Sequence, residues 1–484
     1  MLRRRISHAL ARQRPHAQPR RHFNNFPPDA QQPVSNVRKI LSPLFFKRFV
    51  LFSAVGTVFT ALCIVTGVEG AHVYVEAVAL APEKDDEVKR WQWDREVEDW
   101  GGGLERGGTD SRLGFVGQHL VRASWMTQNW GTSSNQPQDR LLYSHAFLLQ
   151  AIKNETAKDP TSLALPPLMI RDANVLERLG APVDLATAYE KYLHALPAFP
   201  LDSPERPRIT SKLGDLAARI GQPDTAKEWW LAAVRGSART ELPLGREVPD
   251  ALPAAPYDQR TLCASLLALS SAYASSNDLA KAAQLQQDAL RLFAPPTTLP
   301  SFDAGKAAAS LHTYFLAHRA ALFSIHHAEV TYAASSEPAG WFSRKRKTDA
   351  GAPSPLALLQ SAAETSERIA LSLQGMEYTA IPPPSAADGP LLPKLAKASR
   401  AIREPGAALL RDARRSAAQA WRLSGLVHTA RGDDAHALDC FARALAWAGA
   451  GEPAPDTLEV EWNAIWAAFS DAKERVNAKK AAPT

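Results

Sequence analysis

Residues 49–68 read FVLFSAVGTVFTALCIVTGV, twenty consecutive residues without a charge. Such a run is stable either inside a large core or across a bilayer. A helix rising 1.5 Å per residue needs about 20 apolar residues to span the roughly 30 Å hydrocarbon layer. A core helix of that length ordinarily keeps a polar stripe, and this one has none. The composition therefore predicts a single transmembrane helix over 49–68. Lys47 and Arg48 stand before it and Glu69 after it, with Arg38 and Lys39 adding to the positive side. That bias predicts that the amino-terminal flank stays in the compartment that retains positive charge. Gly56, Thr57, Thr60 and Thr66 offer small surfaces that a second helix could approach.

The segment before the span narrows the compartment. Residues 1–28 hold seven arginines (Arg3, Arg4, Arg5, Arg12, Arg14, Arg20 and Arg21), no lysine and no carboxylate. A basic, acid-free leader is typical of a mitochondrial transit peptide. A secretory signal would instead set its positive cluster directly against the apolar core. The tripeptide Arg21-His22-Phe23 resembles a processing site, which predicts a presequence over 1–23, a mature chain from about Asn24 and a basic matrix-side segment over 24–48. The rest of the chain would then face the intermembrane space.

Charge divides at the same place. Residues 1–48 carry eleven basic groups and one acidic group, leaving 45 basic and 49 acidic residues beyond. The basic character belongs to the leader, so the large domain lacks the electrostatic footprint of nucleic-acid binding. More than 400 residues follow the span, enough for a sizeable core. Cys63, Cys263 and Cys440 are far apart and form no CxxC or Cx9C framework, so neither structural zinc nor a disulfide scaffold is indicated.

The soluble part repeats itself. Trp421, Ser424, Gly425, His428, Gly432, Ala437, Phe441 and Ala444 fall at positions 4, 7, 8, 11, 15, 20, 24 and 27 of a 34-residue unit. The pattern resembles the tetratricopeptide repeat, a helical hairpin, with serine for leucine at 7 and histidine for tyrosine at 11. A second copy places Leu213, Gly214, Ala217, Gly221, Ala226, Trp230 and Ala233 at positions 7 to 27. A third runs through Leu266, Leu269, Ser270, Tyr273, Asn277, Ala282, Gln286 and Ala289, and a half-repeat shows Gly180, Ala188, Tyr192 and Ala195. Small residues at 8 and 20 let the two helices approach, and the aromatics at 4, 11 and 24 are expected to fill gaps between successive hairpins. Stacked hairpins form a superhelix with a concave inner surface. The predicted fold is all-α: a tetratricopeptide-like solenoid over 138–475, preceded by the presequence and one transmembrane helix, and followed by a tail over 476–484.

Residues 138–158, 310–334 and 355–373 also carry helix-period apolar stripes. Prolines cluster at 243–256, 295–300 and 382–393, marking long connections. Residues 337–355 read as a loop carrying Arg344-Lys345-Arg346-Lys347, suited to solvent or anionic lipid head groups. Between span and solenoid, residues 69–137 form a collar holding Trp91, Trp93, Trp100, Trp125 and Trp130. Its glycines, Gly101 to Gly103, Gly107 and Gly108, lack the Gly-Lys-Ser/Thr of a phosphate cradle. The collar is expected to cap the open end of the first hairpin, or to serve as a docking platform.

Presequence, single span, the collar sequence GGTDSRLGFVGQHLVRASWMTQNWG and carboxy-terminal repeats together resemble the fungal adaptor subunit of the mitochondrial i-AAA protease. The resemblance implies an inner-membrane protein whose repeats bind unfolded or unassembled polypeptides in the intermembrane space and deliver them to the protease. Its partners would be protease subunits, such polypeptides and the lipid bilayer, with no nucleic acid, metal or other cofactor. The alternative is a scaffold or assembly factor for another inner-membrane complex; an import receptor would normally carry its anchor at the extreme amino terminus. No HExxH, nucleophile elbow or Walker sequence is present, and the adjacent His326 and His327 would point about 100° apart on a helix, so no catalytic residue is assigned. Lys212, Arg219, Arg422 and Arg431 are the expected groove contacts.

Overall fold

The structure is a computed structural model that describes residues 43–97, 99–131, 136–240, 242, 245–293, 299–336, 354–378, 387–449 and 459–481. The expected presequence with its processing point, the basic segment through residue 42, the Arg344–Lys347 run and residues 482–484 of the tail lie outside the described residues. The chain divides into two compact units, residues 1–71 and 72–484.

The described part of the first unit is helical. Helix α1, Pro43–Tyr74, contains the whole apolar run, and every side chain from 43 to 68 is exposed. Its mean hydropathy reaches 2.2, which makes it long and apolar enough to cross a membrane. Thr57 and Thr66 donate their hydroxyls to the carbonyls of Ser53 (2.8 Å) and Leu62 (2.9 Å), so these polar groups are satisfied within the helix itself. No proline or glycine cap stops the helix at Val68. It continues to Tyr74 and ends in a π-turn, Val75–Ala79.

The second unit contains no strand among the described residues, only an isolated bridge between Gly101 and Thr109. Its helices are α2 (Asp86–Arg90), α3 (Gly114–Asn129), α4 (Pro137–Lys158), α5 (Leu165–Leu179), α6 (Pro182–Ala195), α7 (Glu205–Arg219), α8 (Pro223–Ala238), α9 (Pro256–Ser275), α10 (Leu279–Leu292), α11 (Ala307–Ser336), α12 (Pro355–Gln374), α13 (Pro393–Ala396), α14 (Arg400–Ala430), α15 (Asp434–Ala448) and α16 (Glu459–Ala481). Proline opens α4, α6, α8, α9 and α12, where its missing N–H costs nothing and its fixed φ suits the first turn. The turn position of each recognised repeat adopts a left-handed conformation: Gly180, Gly221 and Gly432 at φ 76°, 82° and 77°, and Asn277 at 61°. Asparagine is among the few other residues that tolerate it.

Six antiparallel pairs result, α3/α4, α5/α6, α7/α8, α9/α10, α11/α12 and α14/α15, stacked as a solenoid and closed by α16. Along one side first helix packs on first helix, α7 on α9, α9 on α11 and α11 on α14. The repeat positions form the core: Leu213, Ala226, Leu269, Ala282 and Ala437 are fully buried, and Trp230, Tyr273, Trp421 and Phe441 nearly so. A Cβ on Gly214 would lie 2.5 Å from Trp230 Nε1, and one on Gly425 2.6 Å from Phe441 Cε1. The position-24 aromatics therefore cover the glycine of their own hairpin and also reach the next element: Phe441 clusters with Ala472 of α16, and Trp230 shares a core with Leu262 and Leu266 of α9. Trp421 does bridge hairpins. With Trp447 it donates to the buried carboxylate of Glu367 on α12, both at 2.7 Å, and Arg443 completes the shell at 2.7–2.9 Å.

Two boundaries differ from expectation. Helix α3 lies inside the collar yet forms the first hairpin with α4, so pairing begins at Gly114 and not at 138. Helix α16 packs beyond residue 475, with Arg475 and Lys479 paired to Asp434 at 2.8 and 2.6 Å.

Candidate functional site

In a solenoid of this kind the first helices of successive hairpins line the inner face. Here that face already holds a segment of the chain itself. Residues 86–100, from the collar, lie across α5, α7, α9 and α11. Trp93 donates its indole N–H to Ala308 O on α11 at 2.9 Å, and Glu87 accepts from the Ala309 N–H at 3.4 Å. Gln92 accepts from the Tyr257 N–H at the start of α9 at 3.0 Å. Arg95 pairs with Glu205 on α7, and Arg171 on α5 donates to Asp99 O at 3.2 Å with its guanidinium 4.8 Å from the Trp100 ring. Val88 and Trp93 are buried in the core formed with α11, α12 and α14.

Arg260 is the centre of this contact. It is 1% exposed and sits 4.1 Å over the Trp93 ring. Its nitrogens donate to Glu96 (2.7 Å), Gln92 O (2.8 Å) and Trp91 O (3.2 Å), and to His312 Nδ1 (3.2 Å). Since His312 Nδ1 accepts, its Nε2 carries the proton and donates to Gln259 Oε1 at 2.8 Å. Arg208 meets the second oxygen of Glu96 at 2.5 Å. Burial alone would raise the Glu96 pKa, but Arg208 and Arg260 outweigh it and hold the carboxyl below its usual range. Burial, with Arg260 beside it, pushes His312 down to about 3, so the ring stays neutral. Two guanidiniums on one part-buried carboxylate, with the other Arg260 donors taken by the carbonyls of Trp91 and Gln92 and by His312, are what a cluster stripped of most of its water needs.

The segment leaves part of the inner face open. Beside it lies a cleft of about 490 Å³, walled by α5 and α7 and floored by Tyr192 and Tyr257. Its apolar lining comes from Pro167, Ile170, Phe199 and Ile209. Its charged lining comprises Arg95, Arg171, Arg178, Arg208, Lys212 and Arg219 against Glu96, Asp99, Glu177 and Glu205, a mixed surface with an excess of two positive charges.

Of the groove contacts expected from sequence, the structure brings two together. Lys212 and Arg219 both line the cleft, paired to Glu177 at 3.0 and 3.6 Å, each side chain more than a third exposed. Arg422 and Arg431 do not line it. Arg422 lies half-buried on α14, and Arg431 is the residue at which α14 ends, in the turn of the last hairpin. Sequence reasoning missed Arg171, Arg178, Arg208 and the collar residues Arg95 and Glu96. A signal was available on α5, where Ile170, Arg171, Asn174, Glu177 and Arg178 share one helical face.

The collar also departs from the expected cap. Trp100 and Trp125 do pack with the first hairpin, but Trp91 and Trp93 cross to α11. Arg260 meets them from α9, stacked on Trp93 and donating to Trp91 O and Gln92 O. The collar glycines serve close backbone approach: Gly108 N–H donates to Leu80 O at 2.7 Å, and a Cβ on Gly107 would lie 2.5 Å from the same oxygen. Elsewhere, His428, Asp433 and His436 hold metal-ligating atoms within 4.8 Å of one another. Asp433 caps α15 there and accepts from both imidazoles, at 3.2 and 2.9 Å.

No family model and no curated protein matches the chain. Among solved structures, the crystal structure of BtubC (BKLC) from P. vanneervenii is similar at 15% identity and a TM-score of 0.35, with 66% of this chain and 96% of that one covered. A likeness that distant bears on neither the fold nor the function of this chain.

Proposed function

We propose that this chain is a non-enzymatic adaptor anchored in the mitochondrial inner membrane, with its solenoid in the intermembrane space. It holds unfolded or unassembled polypeptides for an inner-membrane AAA protease. The observation that carries the reading is the cleft between α5 and α7, open beside the collar segment. It mixes apolar walls with alternating charge, a chemistry that accepts extended segments of varied sequence through many shallow contacts. The arginine-rich leader supports the compartment, and the charge bias around α1 supports the orientation.

One observation favours a second reading, a scaffold for another membrane complex. The collar segment fills much of the inner face with buried, specific contacts, as expected of a surface that is permanently assembled. Deleting the protein and following unassembled inner-membrane subunits separates the two. The adaptor reading expects their turnover to slow while the protease stays at its normal level, and the protease to co-purify in mild detergent. Unchanged half-lives with a fixed set of other partners would establish the scaffold.

A further inference from the structure

The second unit exposes a cluster of apolar side chains where the chain enters it. Val73, Tyr74, Val78, Phe115, Val116 and Trp130 are each between 51% and 68% exposed. The cluster is continuous. The His119 ring touches His72 at 4.3 Å and Phe115 at 3.9 Å, while Tyr74 reaches Trp130 at 6.0 Å. Phe115 and Trp130 stand at opposite ends of α3, yet His72 and Tyr74 are two residues apart. The entry point of the chain therefore lies between the ends of α3, with the aromatic groups on either side of it.

We propose that this face of α3 seats in the interfacial layer of the bilayer, so that the first hairpin rests on the membrane surface. The inference rests on residues 49–68 being the membrane span. Val73 follows Val68 by five residues, and a trans chain covers at most about 3.6 Å per residue, so Val73, where the patch begins, stays within about 18 Å of the hydrocarbon edge. The head-group zone occupies roughly the first 5–8 Å of that reach. Tyrosine and tryptophan favour this zone because an apolar ring and a polar tip are both accommodated there. The only carboxylate between span and patch is Glu69, and Glu76 is turned inward to accept from Thr109 at 2.8 and 3.0 Å. Two cations stand beside the patch: Arg112 precedes Phe115 by three residues, and Lys158 donates to Arg112 O at 2.8 Å, both side chains half exposed or more. Arg112 is paired with Asp110 and Lys158 lies 3.6 Å from Glu155, and both keep exposed surface that anionic head groups could share.

The test uses the full-length protein in phosphatidylcholine vesicles containing lipid brominated near the carboxyl end of an acyl chain. Residues 49–68 contain no tryptophan, so bromine quenching reports only on the large unit. We expect a quenched component in the wild type that is lost in Trp130→Phe and retained in Trp466→Phe, which removes an exposed tryptophan on α16. The pair Phe115→Ser and Val116→Ser should reduce the quenching of Trp130 while helicity stays unchanged. Quenching that is absent, or unaltered in Trp130→Phe, overturns the proposal and leaves this face to a protein partner. Extraction of the wild type by alkaline carbonate would mean instead that the span itself had failed.

Discussion

Replacing Arg260 by methionine tests how the collar segment is held. The side chain is buried, so the change leaves Glu96 with Arg208 as its one remaining partner and strips the donors from Trp91 O and Gln92 O. Removing one partner of a buried ion pair costs about 3–5 kcal/mol, because the other charge stays in the interior. The molecule has a second route, which is to release residues 86–100 into water. Glu96 and the carbonyls are then solvated, at the loss of burial for Val88 and Trp93, each about 1.5–3 kcal/mol. The two routes are similar in size, so the loss should be about 3–5 kcal/mol and be accompanied by local opening. Denaturant unfolding in detergent gives the first quantity, and amide hydrogen exchange over 87–97 gives the second. In the double variant Arg260→Met, Glu96→Gln the orphaned charge is gone, and the loss should be smaller than the sum of the single losses by at least about 1 kcal/mol. A single variant that loses under about 1 kcal/mol, with exchange over 87–97 unchanged, would refute the idea that Arg260 holds the segment.

Three further outcomes follow from the packing and charge. Gly425→Ala drives a methyl to within 2.6–2.9 Å of three Phe441 ring atoms; overpacking of about 1–3 kcal/mol should exceed the roughly 1 kcal/mol that alanine returns in helix propensity, so thermal unfolding should come earlier, and an unchanged midpoint would mean the ring moves freely. Gln286 is fully buried at position 24 of its repeat with neither amide atom bonded among the described residues; Gln286→Leu should stabilise by about 1–2 kcal/mol, and a destabilised variant would imply a bound water or partner there. Burial pushes His312 and His318 down to about 3, so the folded state refuses protons that the unfolded state takes up below about pH 6.5; stability should be level above that pH and fall by about 3–4 kcal/mol for the pair between pH 7 and pH 5, where a flat profile would contradict the burial.

What could be read from the chain depended on whether the signal was local. The long apolar helix announces itself because twenty uncharged residues admit few other folds. Three hairpins were visible because Gly214, Gly425 and their aromatic partners repeat at fixed offsets, and because Gly221, Asn277 and Gly432 mark the left-handed turn. The first and fifth hairpins carry no such offsets. Helix α11 runs for 30 residues, well beyond the half-repeat, so the 34-residue spacing could not place its partner. The inner face was legible only in part. Lys212 and Arg219 follow from their place on a first helix. Glu96 and Arg260, by contrast, are separated by 164 residues and share no period, and only the folded chain brings them together. The collar tryptophans stood out in the sequence, but nothing local to Trp91 or Trp93 indicates that their destination is α11.

The central claim is that the open cleft receives polypeptide segments. A photoactivatable phenylalanine analogue in place of Ile170, a partly exposed residue of the cleft wall, crosslinked in intact mitochondria, tests it at the site itself. The account predicts adducts with many different unassembled inner-membrane proteins, increasing when their assembly is blocked and when the protease is inactive. A single adduct of constant yield under all these conditions, or none while an outward position such as Leu201 crosslinks freely, would contradict it.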